Sequence, residues 1–151
     1  MFDKILVAVG GDDASFEPVR AASRLACLLG AELSLLSVSP ETTKALGEPF
    51  YSELLHERLG ATETMLERAR QLAEGEGAVV VSVDELAGPP AERIVDFARH
   101  GGFALIVLGT RRRGRLQSAL LGSVSATVAA HSQVPVMIVP EPDVTNHQQT
   151  E

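Results

Sequence analysis

The residue types best suited to bind an anion lie in one stretch of the chain, residues 109–125. Gly122 lacks a side chain and so lets a ligand approach the backbone, while Ser123 and Ser125 offer hydroxyl groups. The pattern also predicts a helix that starts near Ser123, and the first N–H groups of a helix carry partial positive charge because they have no partner within it. On spacing alone, the simpler interpretation is that Gly122 and Ser123 only form a turn and cap this helix.

Arginine is concentrated in the same stretch, at positions 111, 112, 113 and 115. A guanidinium group can form two parallel hydrogen bonds to phosphate oxygens, so these side chains can add charge-assisted contacts to a phosphate-bearing ligand. A solvated arginine loop explains the composition equally well. The stretch therefore indicates an anion site without identifying the anion.

Other patterns that would indicate catalysis or a metal centre are incomplete. His56 lacks a second histidine at the helical spacing that a zinc protease needs, and the remaining histidines are scattered along the chain. The segment Gly122-Ser123-Val124-Ser125 differs from the G-x-S-x-G elbow of hydrolases. We therefore expect a binding protein without catalytic or metal-ligating residues.

Short apolar runs alternate with longer amphipathic segments, which is the pattern of βαβ units. The runs are rich in valine, isoleucine and leucine and mostly lack polar alternation, as is typical of parallel strands covered on both faces. They comprise residues 5–9, 33–38, 79–83, 105–108 and 136–139. The predicted fold class is α/β, a doubly wound five-stranded parallel sheet with helices on both faces, in a Rossmann-like α/β/α arrangement.

The segments between these runs predict helices that end at about residues 30, 75 and 101, with a last helix from about residue 123. Asp13 or Ser15 is expected to cap the first helix, which leaves Pro18 in its first turn. A polar loop over residues 41–50 precedes the second helix. The predicted buried positions of the first, second and fourth helices are Phe16, Val19, Ala22, Ala26, Leu29, Leu55, Leu59, Leu66, Ala69, Ala73, Val124, Val128 and Ala129.

In a doubly wound sheet, ligands bind beyond the carboxyl ends of the strands, where the strand order reverses. The loops that follow Val9, Val38 and Leu108 are therefore the informative ones. We expect the last apolar run to form an edge strand of the sheet. It consists of Val136, Met137, Ile138 and Val139. The backbone N–H and C=O groups on the outer side of an edge strand are unpaired and can form hydrogen bonds with a second copy of the chain, so we expect a homodimer.

Composition and charge indicate one cytoplasmic domain, which we place at residues 1–140, followed by a flexible acidic tail at 141–151. The net charge of -7 argues against general nucleic-acid binding. Cys27 is the single cysteine and cannot form an internal disulfide, so we expect a small buried apolar residue in a reducing compartment. No apolar run approaches the roughly 18 residues of a membrane span, and no signal peptide is evident, so no membrane partner is expected.

From residue 2 to residue 140 the sequence resembles the universal stress protein family. The matching segments are KILVAV at 4–9, GPPAERIV at 88–95, LIVLGT at 105–110, LGSVS at 121–125 and VPVMIVP at 134–140. The resemblance implies a cytosolic protein of stress response or signalling. It also implies a homodimer that pairs antiparallel through the last strand.

ATP-binding members of that family carry the pattern G-x2-G-x9-G-[ST], in which the glycines admit the phosphates and the final hydroxyl contacts them. Gly109, Gly122 and Ser123 match this pattern, whereas Arg112 stands at the second glycine. Gly10 stands where such members usually have an acidic residue that contacts the nucleoside. Asp12 replaces a small hydroxyl residue.

The resemblance implies a ligand of the ATP type, with Mg²⁺. We expect at most weak ATP hydrolysis, because no side chain in these loops is an evident base for activating water. Asp12 and Asp13 either cap the first helix or hold that Mg²⁺. Arg112 either blocks the pocket or neutralises phosphate charge. The alternative is therefore a dimeric interaction module of the same family that has lost nucleotide binding. The residues assigned to the nucleotide site are Ala8, Val9, Gly10, Val38, Gly109, Arg111, Arg112, Gly122, Ser123, Val124 and Ser125.

Overall fold

A parallel β-sheet forms the centre of the molecule. The computed structural model describes residues 2–10, 16–40, 50–110 and 122–141, except for the side chains of residues 50, 51 and 55. In these residues five strands are present, which are β1 (Lys4–Ala8), β2 (Glu32–Ser39), β3 (Val79–Ala87), β4 (Leu105–Gly109) and β5 (Val136–Val139). They are arranged in the order β3-β2-β1-β4-β5, and all neighbouring pairs are parallel. The predicted doubly wound α/β class is confirmed.

Helices cover both faces of this sheet. The described residues contain α1 (Glu17–Leu29), α2 (Phe50–Gly75), α3 (Pro90–His100) and α4 (Ser123–His131). Helices α1 and α2 pack on one face of the sheet, and α3 and α4 pack on the other. Each helix connects two parallel strands, which is why the chain alternates strand and helix throughout.

The two-sided burial explains why the strand sequences are continuously apolar. Ile5 and Val7 of β1 point into the core beneath α1 and α2, whereas Leu6 points into the core beneath α3 and α4. All three side chains are fully buried. Successive side chains of a strand point to opposite faces, so a strand with helices on both sides needs apolar residues at every position.

The start of α1 differs from the prediction. The N-cap position is occupied by Phe16, whose side chain makes no capping hydrogen bond. Asp13 and Ser15 lie outside the described residues. Pro18 stands in the first turn as predicted, where no intrahelical N–H bond is lost. Gly30 ends the helix in the left-handed conformation, which glycine adopts without a steric penalty.

Three positions on α1 and α2 that were predicted to be buried prove to be exposed. Cys27 lies on the surface, because the buried side of α1 is defined by Ala22 and Ala26, and the next residue along a helix is rotated by about 100°. Leu29, in the last turn of the same helix, is 49% exposed. Leu59 is 43% exposed, since the described side chains of α2 that are buried lie in its carboxyl-terminal half, at Leu66 and beyond. The helix has 26 residues and begins at Phe50, which we had assigned to the preceding loop.

Glu85 on β3 is a pH-sensitive point of this fold. Burial and the nearby carboxylate of Glu63 on α2 both raise the pKa of Glu85 above its usual 4.5. Above the raised pKa the charged form costs stability, and this cost disappears as the pH falls through that pKa. Glu85→Gln should therefore raise the urea midpoint at pH 7, with a gain that shrinks toward pH 4.5.

Parallel urea titrations of the parent and Glu85→Gln across this pH range measure the effect. Glu57→Gln is the matched control, since Glu57 is an exposed residue of the same helix that carries Glu63. A gain for Glu85→Gln that does not depend on pH would contradict the proposed origin.

Candidate functional site

The carboxyl ends of β1 and β4 lie next to each other, at the point where the strand order reverses. From β1 the chain continues to β2 on one side, whereas β4 pairs with β1 on the other side. Val7 is paired with Val107, so Ala8 and Gly109 follow at the same edge of the sheet. A crevice of this kind is where open α/β sheets bind their ligands.

The residues that follow β1 differ in exposure. Val9 is buried, and its N–H donates a hydrogen bond to the carbonyl of Leu36 over 2.8 Å. Gly10 is exposed, and a Cβ atom at this position would meet nothing within 4 Å. The packing of the described residues therefore leaves room for a side chain at Gly10. Val38 on β2 is half-buried and packs with the core beneath α3 and α4.

Helix α4 begins at this edge of the sheet without a side-chain cap. Its N-cap residue is Gly122, in an extended conformation with φ -62° and ψ 158°. The Gly122 carbonyl accepts the first helical hydrogen bond, from the Ala126 N–H over 2.9 Å. The N–H groups of Ser123, Val124 and Ser125 precede this bond, so the helix itself supplies no acceptor for them. Such a helix start favours an anion.

Ser125 attaches this helix start to the end of β4. Its Oγ donates a hydrogen bond to the Gly109 carbonyl over 2.6 Å, and the side chain is buried. Ser123 and Val124 are exposed. The two serines that we grouped together therefore have different surroundings: the Ser125 proton is engaged within the protein, whereas the Ser123 side chain lies at the surface.

The buried side of α4 also differs from the prediction. Ser125 and Val128 are buried, whereas Val124 and Ala129 are exposed. Ser125 and Val128 are three residues apart and therefore lie on the same side of the helix. Ser125 was not predicted to be buried because its side chain carries a polar hydroxyl group. Inside the protein this hydroxyl is satisfied by the Gly109 carbonyl, which removes the usual cost of burying it.

Ser125→Ala should lower the free energy of unfolding by about 1–2 kcal/mol, because it removes a buried hydrogen bond and leaves the Gly109 carbonyl without that donor. Urea titration measures the loss. Ser123→Ala serves as the matched control two residues earlier, where we expect a change within about 0.5 kcal/mol. Equal losses in the two variants would show that the Ser125 hydrogen bond contributes little.

Glu141 is a neighbour of the site that sequence reasoning did not identify. Its backbone N–H donates a hydrogen bond to Thr110 Oγ1 over 3.1 Å. Its carboxylate lies against Gly109, since a Cβ atom at Gly109 would come within 2.7 Å of both carboxylate oxygens. We had assigned Glu141 to the tail, and no local pattern in the sequence links it to Gly109.

Several predicted site residues lie outside the part of the chain that the structure describes. Arg111 and Arg112 lie outside the described residues, as do Asp12 and Asp13, the residues considered for Mg²⁺. Of the predicted tail at 141–151, residues 142–151 lie outside them as well. Over the described ranges, no group of three or more histidine, cysteine, aspartate or glutamate side chains is positioned to hold a metal ion. Over the same ranges, no helix is both long and apolar enough to cross a bilayer.

Comparison with known proteins agrees with this architecture. The fold is the Rossmann-like α/β type of its structural neighbours, among them the universal stress protein UspA of Lactobacillus plantarum. The two structures superpose with a TM-score of 0.79 at 27% identity, covering 91% of this chain and 97% of that one. The model of the universal stress protein family matches residues 1–140. The chain belongs to the universal stress protein family.

Relatives from two bacteria are similar over nearly their full lengths. Universal stress protein YxiE of Bacillus subtilis is 37% identical over 148 residues, which cover 92% of this chain and 99% of the relative. A universal stress protein of Thermus aquaticus is 36% identical over 139 residues, with the same two coverages of 92% and 99%. The resemblance inferred from the sequence segments is thereby confirmed.

Two further neighbours were solved with nucleotides. A universal stress protein in complex with cAMP has a TM-score of 0.71 at 25% identity and covers 91% of this chain and 96% of its own. The universal stress protein from Archaeoglobus fulgidus in complex with dAMP has a TM-score of 0.69 at 25% identity, with coverages of 91% and 98%. Nucleotide binding therefore occurs on this fold within the family.

Proposed function

We propose that this chain binds ATP or a related nucleotide at the carboxyl ends of β1 and β4 and acts in stress response or signalling in the cytoplasm. The observation that carries the proposal is the start of α4, which lacks a side-chain cap and adjoins Gly109 at the reversal of strand order. The neighbours solved with cAMP and dAMP support a nucleotide as the anion.

The described residues suggest how such a ligand would be held. The N–H groups at the start of α4 and the exposed hydroxyl of Ser123 would donate to phosphate oxygens. Val9 follows β1, Val38 lies near the carboxyl end of the adjacent β2, and the two would flank the base. Gly10 supplies no side-chain acceptor for the nucleoside, so selectivity for the base or ribose should be weaker than affinity for phosphate. Mg²⁺ would accompany the phosphates, and its protein ligands would lie outside the described residues.

Displacement of a fluorescent ATP analogue tests this function, with ATP and AMP as competitors. We expect saturable binding, and we expect Ser123→Ala to weaken it more than Thr127→Ala. Thr127 is the control, because its hydroxyl is exposed on the same helix and donates to the Ser123 carbonyl. Mass spectrometry of the purified protein would show any nucleotide carried from the cell. Absence of saturable binding up to tens of micromolar would refute the proposal.

Gly10 and Arg112 favour a second candidate, a dimeric interaction module of the family that has lost nucleotide binding. Arg112→Gly separates the two candidates in the same displacement assay. If the parent binds nucleotide through this arginine, the variant should bind about tenfold more weakly, the typical value of a charge-assisted hydrogen bond. If the arginine blocks the pocket, the variant should acquire binding that the parent lacks.

We also propose that two copies pair through β5, because this strand lies at an edge of the sheet. Met137, in the middle of β5, is 37% exposed. Met137→Glu should reduce the sedimentation coefficient from that of a dimer to that of a monomer. Val81→Glu on β3 is the control at the opposite edge, where the valine is 48% exposed. A parent protein that is already monomeric at micromolar concentration would refute the dimer.

A further inference from the structure

Glu141 follows β5 and lies beside the end of β4. Its carboxylate therefore lies at the proposed nucleotide site. Gly109 and Val139 are register partners on the parallel strands β4 and β5, and Glu141 lies two residues further on. The hydrogen bond from its backbone N–H to Thr110 Oγ1 holds Glu141 beside the residue that follows β4. Because this bond uses the backbone, it does not depend on the identity of the side chain at position 141.

The Glu141 carboxylate uses the space that the missing side chain of Gly109 leaves open. A Cβ atom at Gly109 would come within 2.7 Å of both oxygens, far inside van der Waals contact, so any other residue would displace the carboxylate. Gly109 is also the first glycine of the pattern that admits phosphates in ATP-binding members of the family. Gly109 is therefore adjacent both to the Glu141 carboxylate and to the position where a phosphate is expected.

A carboxylate and a phosphate are both oxyanions, and at about 4 Å from each other they repel strongly in a partly buried site. The oxygens of ionised carboxylates and phosphates are hydrogen-bond acceptors, so a hydrogen bond between two such groups does not offset this repulsion. The α4 start that attracts phosphate adjoins the same glycine, through the bond from Ser125 to the Gly109 carbonyl. Glu141 thus opposes the attraction that this helix start exerts on an anion.

We infer that Glu141 is an internal competitor of phosphate at Gly109, and that it sets which nucleotides this chain accepts. The inference rests on the proposed nucleotide-binding function and adds a specificity determinant to it. Ligands that place dense negative charge beside Gly109 are disfavoured, whereas an uncharged nucleoside is unaffected. Affinity for a phosphate-bearing ligand rises when the carboxylate is removed.

Isothermal titration of ATP and adenosine into the parent, Glu141→Gln and Glu141→Ala tests the inference. Both variants keep the backbone bond to Thr110 and remove the charge. We expect each to bind ATP about tenfold more tightly than the parent, with adenosine affinity unchanged. Glu32→Gln is the matched control: it removes the same charge at the amino end of β2, away from the site, and should leave ATP affinity within about twofold.

The possible outcomes separate this inference from the function on which it rests. Tighter ATP binding in both variants supports it, and so does ATP binding that appears only when Glu141 is replaced. A parent that binds ATP at least as tightly as both variants refutes the inference and leaves the function standing. A gain in Glu141→Gln alone refutes it too, because the new amide would then be donating to phosphate. Absence of ATP binding in all the proteins refutes the function and the inference together.

Discussion

Replacing Ile106 by alanine is expected to lower the free energy of unfolding by about 3–4 kcal/mol. Ile106 is fully buried on β4, in the core beneath α3 and α4. Its register partners are Leu6 of β1 and Val136 of β5, so it stands in the middle of a three-strand row. The truncated side chain would leave a cavity that these paired strands cannot close, since their positions are held by backbone hydrogen bonds.

Urea unfolding followed by circular dichroism measures this loss, which is a large part of the 5–15 kcal/mol typical of a domain. Val81→Ala on β3 is the control, and its side chain, 48% exposed at the opposite edge from β5, should cost no more than about 1 kcal/mol. A loss below about 1 kcal/mol for Ile106→Ala would mean that the core repacks around the cavity. The stability of β4 also matters for the proposed function, because this strand ends at Gly109, a residue assigned to the nucleotide site.

Gly109→Val should give the largest loss of nucleotide binding, about a hundredfold or more. The Cβ atom alone would come within 2.7 Å of the Glu141 oxygens, and the two methyl groups of valine would fill the remaining space. Neither the carboxylate nor a phosphate could then approach the backbone at this point. The displacement assay with the fluorescent ATP analogue measures the loss.

Gly60→Ala on α2, away from the site, is the control, because Gly60 is exposed and a Cβ atom there meets nothing within 4 Å among the described residues. We expect nucleotide affinity within about threefold of the parent for this variant. Thermal unfolding of both variants shows whether the fold is retained. Unchanged ATP binding in a folded Gly109→Val protein would place the phosphates elsewhere and contradict the site.

The secondary structure was largely predictable because it follows from local patterns. The last strand, at residues 136–139, agrees with the prediction to the residue, and α4 starts at Ser123, where a helix start was predicted. Strand β3 is longer than predicted: it runs on to Ala87, through polar residues that an edge strand tolerates. An apolar run bounded by proline or glycine identifies a buried strand, whereas a polar extension at the edge of the sheet carries no such signal.

The buried positions on the helices were less predictable. The periodicity shows that a helix has an apolar side, but not how much of its length packs against the sheet. Leu59 continues the apolar stripe of α2, yet it lies on the part of the helix whose described side chains contribute nothing to the buried core. Cys27 has apolar neighbours in the sequence of α1, but it follows the buried Ala26 and is turned by about 100° away from the core. Both outcomes depend on the position of the helix over the sheet.

The sequence by itself determined the order of strands and helices, the family, and the glycine and serine residues that suit an anion at the start of α4. The tertiary structure alone decided how those residues are used. Ser125 donates to Gly109 across 16 positions of the chain, and Glu141 meets Thr110 across 31. Such contacts arise only after β4 and β5 pair and α4 packs on the sheet, so no local pattern can encode them. They place a carboxylate of the chain beside the glycine that is expected to receive phosphate.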